Sequence, residues 1–210
     1  MLCGVTLHLA SRGPYLWEEL ELGDVGTALN RISDHGLELL RLPLVWESFQ
    51  PRPLRVLPRQ LDALVEILDL ASAAHLQVLP WLFVGSWRGL NQLPAWSLGP
   101  LPPGPAVYTR GRHRRLPPLP IWSDPALLDA QRLWISELCH AVAGHPALWG
   151  WEVASAPEAA FGPAPREIRV SWIRRHAEML AEWGGGLPVG AGIDAREVVA
   201  LGGELAPSLD

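Results

Sequence analysis

Lysine is missing from this chain: all 17 basic residues among its 210 are arginine. A guanidinium stays protonated at physiological pH, so it neither relays protons nor forms a Schiff base. That excludes catalytic-lysine and Schiff-base chemistry, and also the lysine of a phosphate-binding P-loop. Cysteine is scarce, with only Cys3 and Cys139. They show no Cys-x-x-Cys spacing and fall in apolar patterns, so both are read as buried free thiols. The seven histidines include no i,i+4 pair and no His-Glu spacing that would hold zinc. No metal site and no cofactor is indicated. Apolar runs fall short of the ~18 residues of a membrane span. Residues 1–10 lack a basic leader segment and read as a first strand, so a cytoplasmic location is expected. Net charge is −5 and the pI is near 5.8, which gives no lean toward nucleic acid or an anionic membrane.

Apolar residues make up 49% of the chain, enough for a sizeable core in one domain. Strand-like and helix-like runs alternate. Strands are expected over 3–9, 37–45, 76–84, 147–154 and 187–191, each a nearly continuous apolar run, as when both faces are buried. Pro80 interrupts the third, where it cannot donate to the ladder. Helices are expected from Asp24 to His35-Gly36, from Pro58 to Ala71, from Asp124-Pro125 to Ala143, and from Pro165 to Trp183, with a further one beginning at Ala195. The segment 85–122 is rich in Pro and Gly and reads as a long loop. This pattern implies an α/β fold with a parallel sheet. Five βα units fall short of the eight in a closed barrel. The expectation is a single domain over 1–210, C-terminally incomplete, with open barrel edges through which copies can self-associate.

Several motifs occur in order along the chain. Gly4-Val5-Thr6 is followed by Trp17-Glu18-Glu19, and Arg41-Leu42-Pro43 by Trp46-Glu47-Ser48-Phe49. Leu79-Pro80-Trp81-Leu82-Phe83 precedes Asn91-Gln92-Leu93-Pro94-Ala95-Trp96. His145-Pro146-Ala147-Leu148-Trp149-Gly150-Trp151-Glu152 runs on to Ser155-Ala156-Pro157. The set resembles the N-terminal part of cellulase-type retaining glycoside hydrolases, family 5-like members of clan A with a (β/α)8 TIM barrel. The resemblance implies a carbohydrate ligand and a cleft at the C-terminal ends of the strands. In that family the fourth strand ends in Asn-Glu-Pro, whose Glu is the general acid/base, and a nucleophile Glu ends the seventh. Here Ser155-Ala156-Pro157 stands at the tripeptide, so the acid/base position is Ala156. The expected protein is therefore glycoside hydrolase-like, with no intact catalytic pair. The alternative is a carbohydrate-binding pseudoenzyme.

Candidate residues carry two readings each. By resemblance, Arg41 holds the catalytic carboxylates. As an ordinary buried guanidinium it needs an anion, with Glu47, Glu152 or a ligand available. Trp46, Trp81, Trp87 and Trp151 either stack on sugar or pack the core, and Trp46, Trp87 and Trp151 are taken as the site candidates. Trp17, Trp134, Trp149 and Trp172 are read as core. Glu47 is ligand-facing or a plain surface charge, and His8 faces a pocket or is a satisfied core histidine. Glu158 is a weak substitute acid or a solvated charge. Arg110, Arg112, His113, Arg114 and Arg115 form a basic run, read as a solvated loop rather than a nucleic-acid grip. The stretch 190–195 matches G-x-G-x-x-A, but this dinucleotide pattern belongs to the first βα unit of such folds, so a nucleotide-binding open sheet is the remote third reading.

Overall fold

The computed structural model describes residues 3–10, 12–87, 89–101 and 103–192. The helix expected from Ala195 and the end of the glycine pattern lie outside the described residues. Five strands form one parallel sheet: β1 (Gly4–Thr6), β2 (Leu39–Pro43), β3 (Gln77–Phe83), β8 (Trp151–Ser155) and β9 (Val189–Gly192). Between β3 and β8 lie two antiparallel hairpins. One pairs β4 (Ser86–Trp87) with β5 (Leu90–Asn91), the other β6 (Ala106–Thr109) with β7 (Arg112–Arg115). The long helices are α1 (Leu22–Asp34), α3 (Pro58–Ala73), α4 (Pro125–Val142) and α6 (Arg166–Trp183). Two single turns, α2 (Trp46–Phe49) and α5 (Glu158–Phe161), follow β2 and β8.

Strand order in the sheet equals chain order, β1-β2-β3-β8-β9. Right-handed crossovers, the rule for parallel neighbours, put successive helices on one side of such a sheet, in keeping with the contacts among the long helices. A doubly wound sheet instead reverses direction at a switch point, where its nucleotide sits. No reversal occurs among the described strands, and Gly190 and Gly192 lie within β9 rather than in a strand-to-helix turn. The nucleotide reading is therefore corrected: the architecture is a partial (β/α) barrel. Helices pack on one another in sequence, α1 on α3, α3 on α4 and α4 on α6.

Local chemistry explains most boundaries. Asp124 caps α4 by accepting from the Leu127 N–H at 3.1 Å, with Pro125 in the first turn. Gly36 takes the left-handed conformation just past α1, at φ 72°. Asp24 does not cap α1, which starts earlier, at Leu22. Pro80 keeps its place in β3 because the β8 side of the ladder skips a rung there. Val78 donates to Ala147, and strand pairing resumes only at Trp81 opposite Glu152.

Three further expectations are corrected. Cys3 is exposed, because β1 is a short edge strand, whereas Cys139 is buried in α4 and its thiol is pushed up to about 12 by desolvation. Trp149 is 37% exposed and lies ahead of β8 rather than within it. Segment 85–122 is not a plain loop but carries both hairpins.

Candidate functional site at the strand ends

Arg41 lies in the middle of β2 and reaches across β3 to β8. Its Nε donates to Glu152 Oε2 at 2.5 Å and its Nη2 to Oε1 at 2.6 Å, a two-pronged clamp. The guanidinium carbon lies 3.8 Å from the centroid of the Trp81 ring on the intervening strand. A cation, an indole face and a carboxylate thus line up on three neighbouring strands. Of the anions open to Arg41 in the sequence, Glu152 is the one it takes.

Above this layer β8 ends in Ser155-Ala156. Gly192 on β9 closes in from the side: a Cβ there would lie 2.5 Å from Ser155 Oγ and 3.1 Å from Glu152 Oε1. The glycine lets β9 press against both side chains, and its carbonyl accepts from the Ala156 N–H at 3.1 Å. Ala156 is exposed and has a positive φ of 43°. A residue with a Cβ is strained there. Ala156→Gly is therefore expected to raise stability by about 0.5 kcal/mol, the relieved strain exceeding the extra entropy of the unfolded chain. Urea midpoints compare the two, and a lower midpoint for the glycine variant contradicts the strain.

The other candidates divide. Trp87 lies in a small cluster with Trp81 and Val84, and its ring meets His8 edge-on at 5.9 Å. Little of it reaches the surface, at 7% exposure, whereas His8 is exposed. Trp46 does not face a ligand. It is 1% exposed, donates to Gln50 Oε1 at 2.6 Å and packs on Phe83, Trp96 and Phe161. Trp151 is wholly buried and turned toward α6, where its indole donates to the Gly184 carbonyl at 3.0 Å. For both, the core reading replaces sugar stacking.

Glu47 has its carboxylate filled by the long insertion. Oε1 accepts from the Ala95 N–H at 2.9 Å and the Thr109 hydroxyl at 2.5 Å, and Oε2 from the Arg110 N–H at 2.8 Å. It sets the position of the insertion rather than meeting a ligand. Glu158 is only partly solvated, at 29% side-chain exposure, and Arg169 Nη1 holds it at 2.6 Å. Beside it opens a groove of about 660 Å3, lined among others by Pro118, Trp122, Phe161 and Ile168. From the sequence Trp81 is one of the tryptophans that could reach the cleft, but it is not among the chosen site residues. Its one signal was an aromatic residue on the strand next to a buried arginine. Its indole N–H is buried and has no partner among the described residues. No group of three metal-ligating side chains occurs among the described residues, and no described helix is long and apolar enough to cross a membrane.

Parallel strands in sequential order, with the polar pair between them and the open ends above, define the (β/α)8-barrel class with its site at the C-terminal face. No family model matches the sequence, and no curated protein matches it. Solved structures do. A GH5_18 protein from Streptomyces cattleya, a Glu→Ala variant in complex with Manβ1-4GlcNAc, superposes with a TM-score of 0.74 at 22% identity, covering 91% of this chain and 44% of that one. The exo-β-1,4-mannosidase Op5Man5 from an Opitutaceae bacterium gives 0.77 at 21% identity, covering 95% of this chain and 33% of that one. The endoglucanase Cel5A from Pseudomonas stutzeri gives 0.57 at 17% identity, over 90% and 50%. This chain has the cellulase-type fold of family 5 glycoside hydrolases, and it spans half or less of the length of these structures.

Proposed function

We propose that this chain is the saccharide-binding portion of a family 5-like barrel and supplies no general acid/base of its own. The observation that carries this reading is the end of β8. Ala156 stands at the acid/base position by resemblance, and the two nearest carboxylates along the chain, Glu152 and Glu158, are each held by an arginine. Loss of a positioned acid/base removes roughly 10²–10⁴-fold of rate, while ligand contacts are independent of it. Binding groups remain. The Trp81 indole N–H is a buried donor without a partner among the described residues, His8 is exposed at the mouth, and the groove beside Glu158 has the size of a small-ligand site. Ligands in the structural neighbours suggest the sugar: Manβ1-4GlcNAc and GlcNAc are bound to GH5_18 proteins. We read a β-mannoside as the ligand class.

The test titrates the 210-residue chain with Manβ1-4GlcNAc and with β-1,4-mannotetraose, following tryptophan fluorescence, and assays aryl β-mannoside hydrolysis in parallel. The expected result is a saturable fluorescence change with no turnover above the uncatalysed rate. A flat titration with both sugars rejects the binding reading. Turnover by the chain rejects the loss of catalysis.

A further inference from the structure

From residue 70 to residue 123 the sequence contains no Asp or Glu, yet it holds Arg88, Arg110, Arg112, Arg114 and Arg115 in a chain whose net charge is −5. Positive charge is therefore concentrated in one insertion of an otherwise acidic protein. The structure turns the densest part of it into a defined object. Strands β6 and β7 pair through Thr109↔Arg112 and Tyr108↔His113, joined by a two-residue turn in which Arg110 and Gly111 take φ of 48° and 70°. All four residues of β7 are exposed.

The hairpin is fixed, and it is fixed at the mouth of the barrel. Glu47, which follows β2 closely, binds the Thr109 hydroxyl and the Arg110 N–H. Tyr108 donates to Glu18 at 3.0 Å and packs its ring on Tyr15 at 5.0 Å, both in the connection after β1. These two carboxylates are taken up by those donors. Neither is ion-paired to a hairpin guanidinium, and Arg112, Arg114 and Arg115 have no ion pair among the described residues. Alternation places Arg112 and Arg114 on the same side of β7, roughly 7 Å apart, with Arg115 on the other side. Unpaired guanidinia on a rigid strand suit planar, multi-oxygen anions.

We propose that the β6–β7 hairpin is a rim subsite for the anionic substituent of an acidic saccharide, a sugar carboxylate, whose neutral portion lies in the cleft. This rests on the saccharide reading above. A glycan rather than a nucleic acid is indicated by position, beside the strand ends. The acidic remainder of the chain also repels a long polyanion, and the only aromatic residue of the hairpin, Tyr108, is already packed. Two exposed charge-assisted contacts amount to roughly a tenfold preference at low salt.

The test is calorimetric titration of the full chain with β-1,4-mannotetraose and with the β-1,4-mannuronate tetramer, which differ at the C6 groups, in 20 mM and 500 mM salt. We expect the uronate to bind about tenfold more tightly at low salt and the preference to shrink at high salt. The Arg112→Gln/Arg114→Gln/Arg115→Gln variant should lose the preference and keep its affinity for the neutral tetramer. Equal binding of the two sugars, or a preference that survives the triple variant, overturns the rim subsite and leaves the saccharide reading standing. Binding of neither sugar sinks both. A single-stranded oligonucleotide that binds as tightly as the uronate also overturns the proposal, since the hairpin then reads phosphate backbones.

Discussion

Glu152→Ala is expected to lower unfolding stability by about 3 kcal/mol. The carboxylate is buried between β3 and β9, and its two oxygens carry both prongs of the Arg41 clamp. Removing it leaves a guanidinium on the Trp81 ring with no counter-charge. Because the Arg41 side chain retains 26% exposure, water screens part of the orphaned charge, which holds the loss to the low end for a broken buried pair. Replacing both partners, as Arg41→Met with Glu152→Leu, should cost clearly less than the single change, because no charge is stranded. Urea denaturation of the wild type, the double variant and the single variants Arg41→Met and Glu152→Leu decides it. A double variant as damaged as the sum of the two single changes means the pair acts through shape rather than charge.

The second large effect is on pH dependence. His176 on α6 is wholly buried, stacks on Trp172 at 4.2 Å and meets Phe83 edge-on at 5.2 Å. Its Nδ1 lies 2.7 Å from the Trp172 carbonyl, so Nδ1 carries the proton, and Nε2 has no partner among the described residues. Desolvation lowers its pKa from 6.5 to about 4, against the pull of the Trp172 carbonyl. The folded ring therefore stays neutral while the unfolded chain takes up a proton below pH 6.5. Stability is full above that pH and falls as the pH drops toward 4, by about 2 kcal/mol at pH 5 from this group alone. His176→Phe removes the proton site and keeps an aromatic ring. Between pH 7.5 and 5 its stability should fall by about 2 kcal/mol less than that of the wild type. Parallel profiles would show that the ring titrates in the folded protein as it does in the unfolded chain, and so is not buried.

The barrel strands were legible because burial on both faces writes them as apolar runs, and α4 because Asp124-Pro125 is a strong start signal. What was not legible is instructive. The turns α2 and α5 are four residues long, too short for a helical period. The β6–β7 hairpin uses Arg110 at positive φ where Asn or Asp is the usual signal, and it builds β7 from residues poor in strand propensity, so charge masked a strand. In the site, Arg41 and Glu152 each announced a need for a partner, but 111 residues separate them and only the sheet register brings them together. Trp46 and Trp151 could not be told from cleft tryptophans by composition. Trp46 is turned inward by the single turn α2 that it begins, and Trp151 by its contact with the end of α6.

The Glu47 clamp has a consequence for how such a barrel diversifies. One carboxylate on the barrel fixes the insertion at Ala95 and again at Thr109-Arg110. Chain between those two anchors can lengthen, shorten or change sequence while its ends stay put. The rim is thus a replaceable module on a constant frame. Natural variation there can alter what the cleft admits without being filtered through the folding of the sheet beneath it.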